Sequence, residues 1–215
     1  MLAIIVVAVA YLWSAIRYQP EFYVKAIAPP ADPMKQAAEA DHFERTAFDL
    51  NSRVRREGTW QARFTADEIN SFMAADFSRK FPSALPSSIQ EPRVAITPEL
   101  LELAFRYEGS AGSGVVVAGV FPKATDVPGE IALRIAHIRL GKLPLPLKQF
   151  LDEVTQASHR AKLPVRWTEE MGNPVAIFTL PTDHPDLAGH DLVIEQILLE
   201  PGAIVVSGRT QRSVR

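Results

Sequence analysis

The chain has 215 residues, 47% hydrophobic and 22% charged, which suits one ordinary globular domain with an appendage. Its 23 basic and 25 acidic residues leave a net charge of −2, so the basic footprint of a nucleic-acid binder is missing and no nucleic-acid partner is expected. The absence of cysteine removes thiol catalysis, disulfides, lipidation on cysteine and cysteine-based zinc sites.

Residues 2–16, LAIIVVAVAYLWSAI, carry no charged side chain and no polar stripe. As a helix such a stretch reaches about 24 Å, a little short of the ~30 Å hydrocarbon core, and Tyr11, Trp13 and Tyr18 suit its interfaces. Residues 1–17 are therefore expected to be a transmembrane helix or signal anchor that makes the membrane the first partner. Arg17, Lys25 and Lys35 all follow it, and the positive-inside rule would keep the domain in the cytoplasm. An upstream basic stretch would reverse this, and the side expected here is the extracytoplasmic one.

Residues 18–33 hold four prolines and no steady period, the pattern of a linker. The domain proper is expected to span 34–215. In its first segment Phe43, Ala47, Leu50 and Val54 share one face of a helix. Arg53, Arg55 and Arg56 crowd the last turn, where the helix dipole favours cations, and Gly58 stops it. TWQARF alternates, with Trp60, Ala62 and Phe64 on one side, and predicts a short strand. Thr65 and Glu68 then form a capping box for a helix whose buried face carries Ile69, Phe72, Met73 and Phe77.

From residue 92 the chain turns to strand. RVAIT folds back through Pro98-Glu99 into LLELAFRYEG, where Leu101, Leu103, Phe105 and Tyr107 share a face. GSAGSG (109–114) is a turn before VVVAGVF. In EIALRIAHIRL the apolar phase changes between Ile135 and Ile138, which predicts a bulge near Ala136. LGKLPLPL leads into a third helix, with Pro146 at its first position and Leu147, Phe150, Leu151 and Val154 on one face. The leucines serve that helix's start and core, the lip of a pocket, or a membrane contact. Two hairpins finish the chain, one around Gly172-Asn173 and one around Pro201-Gly202.

Strands joined by tight turns imply an antiparallel sheet, and the fold class is α+β, a curved, mostly antiparallel sheet packed on amphipathic helices. Residues 115–121, 174–180 and 203–206 are apolar on both faces, where an antiparallel sheet normally wets one. Three helices cover one face; the other needs a fold-over, a partner or an apolar ligand.

Chemistry is sparse. Asp183, His184, Asp186, His190 and Asp191 could surround one metal ion, but their spacing matches no recognised site and a polar loop explains them; no metal is expected. GSAGSG lacks the Gly-Lys-Ser/Thr ending of a phosphate loop and precedes a strand. His137 in a strand and His159 on a helix suit structural roles. No paired carboxylates or activated nucleophile stand out, so no enzyme and no cofactor is expected.

RFTADEINSF (63–72) before a helix, then PRVAI and IRLGKLPLPL before another helix, resembles small membrane-tethered bacterial envelope proteins of the YceB-like and YpmS-like kind, over about residues 59 to 180. Their fold is similar to the tubular lipid-binding (TULIP) superfamily. The resemblance implies a highly curved sheet wrapped around a long helix, with an apolar groove and no catalytic residues. It implies a domain binding a lipid or other apolar ligand at the cell envelope. The residues expected at the ligand are Phe72, Phe105, Phe121, Leu143, Leu145 and Phe150. The alternative is an accessory envelope protein that binds a protein partner through its apolar surface.

Overall fold

A computed structural model describes residues 13–82, 85–109, 112–145, 147–160, 163, 165–180 and 187–213. Residues 13–16 are helical. Helix α1 (Glu21–Ile27) follows Pro20, whose φ of −60° fixes the turn into it, and Lys25 pairs with Glu21 at 2.7 Å one turn back. Helix α2 (Pro33–Arg53) starts where the Asp32 side chain accepts the Met34 and Lys35 N–H groups and Pro33 takes the position that needs no donor. Strand β1 (Gly58–Thr65) leads into α3 (Ala66–Phe72), which continues as a π-helical turn, Met73–Phe77, and a last turn, Ser78–Lys80.

Strands β2 (Ile89–Ile96), β3 (Leu101–Gly109), β4 (Gly112–Ala124), β5 (Glu130–Leu140) and β6 (Leu143–Pro144) precede α4 (Leu147–Arg160). Two hairpins follow, β7 (Val165–Glu170) with β8 (Asn173–Thr179) and β9 (His190–Glu200) with β10 (Ala203–Arg212). At the first turn Met171 and Gly172 both take positive φ, 52° and 77°, the conformation a two-residue hairpin turn demands. The class is α+β with a large antiparallel sheet.

The expected single sheet is two. β1, β10 and β9 form a three-stranded sheet, and β2-β3-β4-β5-β8-β7, with β6 on β5, form a larger one. The reason is a pairing between the two ends of the domain: β1 runs antiparallel to β10 from Gly58–Thr210 to Thr65–Ala203. Alternation within β1 puts Trp60 and Ala62 inside, against Leu192 and Ile194 of β9 and Leu50 and Val54 of α2. Gly208 lies directly under the Trp60 ring; a Cβ there would come within 2.5 Å of it.

The large sheet explains the doubly apolar strand. Val116 and Ala118 of β4 point to one face and Val115 and Val117 to the other, and all four are buried. On the first face Leu151 of α4 and Trp167 of β7 pack against the cluster, and Ala124 at the end of β4 meets the three-stranded sheet. The second is covered by α1, whose Tyr23 is fully buried against Ala104, Val115 and Val117. The stretch 18–33, with its prolines, thus contains a helix that closes the sheet. Its seven residues are too few to show a period, and Tyr23 alone supplies the deep anchor.

The phase change in β5 is a bulge. Gly119 faces His137 and Val120 faces Ile135, leaving Ala136 without an opposite residue. The extra residue re-registers the strand, so Ile131, Leu133, Ile135, Ile138 and Leu140 all share the face of Val116 and Ala118, where Ile131 meets the three-stranded sheet and Ile135, Ile138 and Leu140 join the central cluster. A second irregularity lies in β2 between Gln90 and Arg93, where Glu91 takes a left-handed φ of 49°.

Among the described residues no helix is long and apolar enough to cross a membrane. The expected span at 2–16 falls mostly on residues 1–12, which lie outside the described residues.

Candidate functional site

The α4 face of the large sheet carries an apolar cluster whose margin is only partly buried. Phe105, Val116, Ala118, Ile135 and Ile138 form its buried centre. Around them Ile89, Leu103, Tyr107, Val120, Leu140, Leu145, Leu151 and Trp167 pack against the cluster while staying partly exposed. Helix α4 is set on this face by its ends and middle. The Leu145 N–H donates to the Ile138 carbonyl at 3.0 Å just before the helix. In the middle the Trp167 indole N–H of β7 donates to Thr155 Oγ1 at 2.8 Å, and that hydroxyl donates to the Leu151 carbonyl at 2.8 Å. The Leu163 N–H closes the far end on the Ser158 carbonyl at 2.9 Å. Beside the helix a recess of about 420 Å³ opens between Leu151, Trp167, Gly172 and Pro174.

The six residues expected at a ligand are not gathered in one place. Phe105 and Leu145 belong to this cluster, and Leu143 lies opposite Leu140 in the β5–β6 pair. Phe72 sits elsewhere, stacked on Phe43 of α2 at 4.7 Å. Phe121 projects from the opposite face of β4, with the Arg134 guanidinium 4.3 Å from its ring centre. The side chain of Phe150 lies outside the described residues. Trp167, Leu151 and Tyr107 complete the surface. Alternation in PVRWTEE marks Trp167 as inward-facing, but nothing in that pattern says which helix it meets.

The stretch RFTADEINSF is a clasp. Glu68 accepts the Thr65 N–H at 2.8 Å with one oxygen, completing the capping box, while His42 of α2 lies 2.6 Å from the other. Asn70 presents its amide to the edge of β2, donating to the Val94 carbonyl at 2.9 Å and accepting the Val94 N–H at 2.8 Å. The buried Ser71 hydroxyl donates to Glu39 at 2.8 Å. These residues lock α3 to α2 and to the large sheet. A cleft of about 530 Å³ lies beside them, between α1, α2 and the end of β2. Several of its polar groups are engaged: Asp32 caps α2, Glu39 holds Ser71, and Lys35 lies 3.6 Å from Glu39.

His137 and His190 each lie beside a carboxylate. On the α1 face Gly119 leaves room for the His137 ring to cross β4, with its imidazole carbon 2.4 Å from where a Cβ would stand. His137 thereby approaches Glu102 of β3 at 3.6 Å, and Arg139 donates to the same carboxylate at 2.9 Å. Burial, and then the Arg139 charge, hold the His137 imidazole below its usual pKa. His190 contacts Glu57 at 3.2 Å, and Asp191 accepts the Ser213 hydroxyl at 2.7 Å. Asp183, His184 and Asp186 lie outside the described residues. Among the described residues no group of three or more His, Asp or Glu side chains is arranged to hold a metal ion.

No family model, curated protein or solved structure matches this chain. The site therefore rests on its own geometry. What the α4 face offers chemically is a wide hydrophobic contact surface, with the Trp167–Thr155 bond as its central polar feature.

Proposed function

We propose that this chain is a membrane-anchored, non-enzymatic domain that holds a lipid or other apolar ligand on the α4 face of its large sheet, at the cell envelope and on the extracytoplasmic side. The observation that carries the reading is the ring of partly exposed apolar side chains around α4. Leu103, Leu140 and Leu145 pack against the buried cluster and stay incompletely covered, with Leu151 of α4 beside them. Full burial of each leucine-sized side chain is worth about 1.5–3 kcal/mol, so an apolar ligand recovers stabilisation that the chain leaves unused. The uncharged stretch 2–16 supports the anchor, its last turn, with Ala15 buried, being seated on the domain, and the envelope-protein resemblance of residues 59–180 supports both a TULIP-like arrangement and the side of the membrane.

Native mass spectrometry of the protein extracted from its own membrane tests this. Bound lipid is expected in the unaltered chain and is expected to be lost from Leu103→Gln, while Val127→Gln, at an exposed turn on the opposite end of β4, keeps it. Extracted protein that is consistently lipid-free, or lipid retained equally by both variants, refutes the reading. A second reading, a protein partner, is favoured by Phe48 and Phe81, which are 70% and 50% exposed. Phe81 ends a chain of aromatic contacts running outward from Phe43 through Phe72 and Phe77. On that reading Phe48→Ser with Phe81→Ser lowers recovery of a cross-linked envelope protein and leaves lipid content unchanged.

A further inference from the structure

Resting on the membrane-anchored reading, we infer that the 141–143 end of the large sheet faces the bilayer, and that Arg17 and Lys142 there bind anionic lipid headgroups. The helical turn 13–16 ends against the β5–β6 turn, where the Lys142 N–H donates to the Ala15 carbonyl at 2.9 Å and the Gly141 N–H donates to Val115 at 2.8 Å. Gly141 has a φ of +58°, and a Cβ on it would stand 2.1 Å from the Ala15 oxygen. Only glycine fits both demands. Ala15 itself is 3% exposed. Residues 13–16 are therefore held against the β5–β6 turn by a fitted joint.

The side chains around that joint are those of a headgroup layer. Trp13 and Tyr18 are 59% and 40% exposed. The Arg17 guanidinium lies 4.5 Å from the Trp13 ring centre and the Lys142 ammonium 4.6 Å from that of Tyr18. Aromatic rings with polar edges and long cationic side chains both settle at the membrane–water boundary, and cations there attract anionic lipids. Of the two nearby acidic groups, Glu91 is matched by a cation and Glu108 by a neutral amide. Glu108 shares a recess with Arg17 and accepts from Gln90 at 3.3 Å, while Glu91 is paired with Arg106 at 2.8 Å. Among the described residues neither Arg17 nor Lys142 forms an ion pair with a carboxylate.

The consequence is an orientation. β4 starts beside the joint and runs 13 residues away from it, up to about 40 Å at ~3.3 Å per residue. Leu143 and Leu145, at one end of the apolar α4 face, stand at the bilayer end.

Because the chain has no cysteine, one introduced thiol is a unique label. Ser113→Cys places it at the near end of β4 and Asp126→Cys just beyond the far end; both positions are exposed. The full-length protein is inserted into nanodiscs of phosphatidylcholine, with or without phosphatidylglycerol, carrying a quencher on the lipid headgroups. Strong quenching is expected at Cys-labelled position 113 and little at 126. Replacing Arg17 and Lys142 by glutamine is expected to reduce quenching at position 113 in discs with phosphatidylglycerol, and to leave it unchanged in phosphatidylcholine alone. Equal quenching at both positions, or more at 126, overturns the orientation. Identical results in the two lipids overturn the headgroup assignment. Failure of the chain to co-elute with nanodiscs at all is a different outcome, and it overturns the anchored reading itself.

Discussion

Replacing Tyr23 with alanine removes the side chain on which α1 is seated. Tyr23 is fully buried, between Ala104 of β3 and Val115 and Val117 of β4. Truncating a buried aromatic to alanine costs about 3–5 kcal/mol, part lost transfer energy and part cavity, a large share of the ~5–15 kcal/mol that holds a domain together. Tyr23→Phe keeps the ring and removes only the hydroxyl, which is buried and makes no well-formed hydrogen bond, although the Arg106 guanidinium lies near it. That substitution is expected to change stability by less than about 1 kcal/mol or to raise it. The pair also differs in alkaline solution. Burial first, and then the Glu91 charge, push the Tyr23 phenol above its ordinary value of 10.0. The folded state then keeps a proton that the unfolded chain gives up, so stability is lost as pH rises past about 10. Tyr23→Phe removes that contribution. Urea denaturation of the full chain, followed by tryptophan fluorescence at neutral and alkaline pH, reads all three. A cost below about 1 kcal/mol for Tyr23→Ala would mean that α1 does not seal the sheet.

Two further outcomes follow from polar contacts. Asn70→Ala leaves the buried Val94 without its side-chain partners, and a loss of about 1–3 kcal/mol is expected in the same denaturation assay; Asn70→Gln is expected to restore little, because the longer amide cannot keep both bonds. For His137 the folded state disfavours the charged ring, so the unfolded chain takes up a proton first as pH falls. Stability is therefore full above about pH 6.5 and declines below it. His137→Gln should flatten that decline when midpoints at about pH 7.5 and pH 5 are compared.

What could be read from the sequence was what neighbouring residues decide among themselves. Thr65 and Glu68 cap α3 because they stand three apart, Gly172 turns a hairpin because it tolerates a positive φ, and the slip from Ile135 to Ile138 marks a bulge wherever the strand pairs. Pairing between distant segments carries no such mark. Nothing in TWQARF says that its partner is β10, and so the division into two sheets is a property of the folded chain. The expected ligand residues divide for the same reason. Phe105 and Leu145 face α4, but Phe72 and Phe121 are equally apolar and meet Phe43 and Arg134 instead. Hydrophobicity selects residues for contact; it does not choose which neighbour they contact. Tyr23 was hidden by its surroundings, one anchor in a short helix among prolines.

The amide of Asn70 has an effect beyond the stability of one strand. β2 is the last strand on its side of the large sheet, and an open strand border is where a second copy can add itself and begin a fibre. By taking both the N–H and the carbonyl of Val94, Asn70 removes the docking points there. The kink at Glu91–Pro92 spoils the flat template beside it, since proline offers no donor. At the far border β7 carries Arg166, Glu169 and Glu170, charges that repel an uninvited strand. The chain thus guards both margins of its sheet against self-assembly.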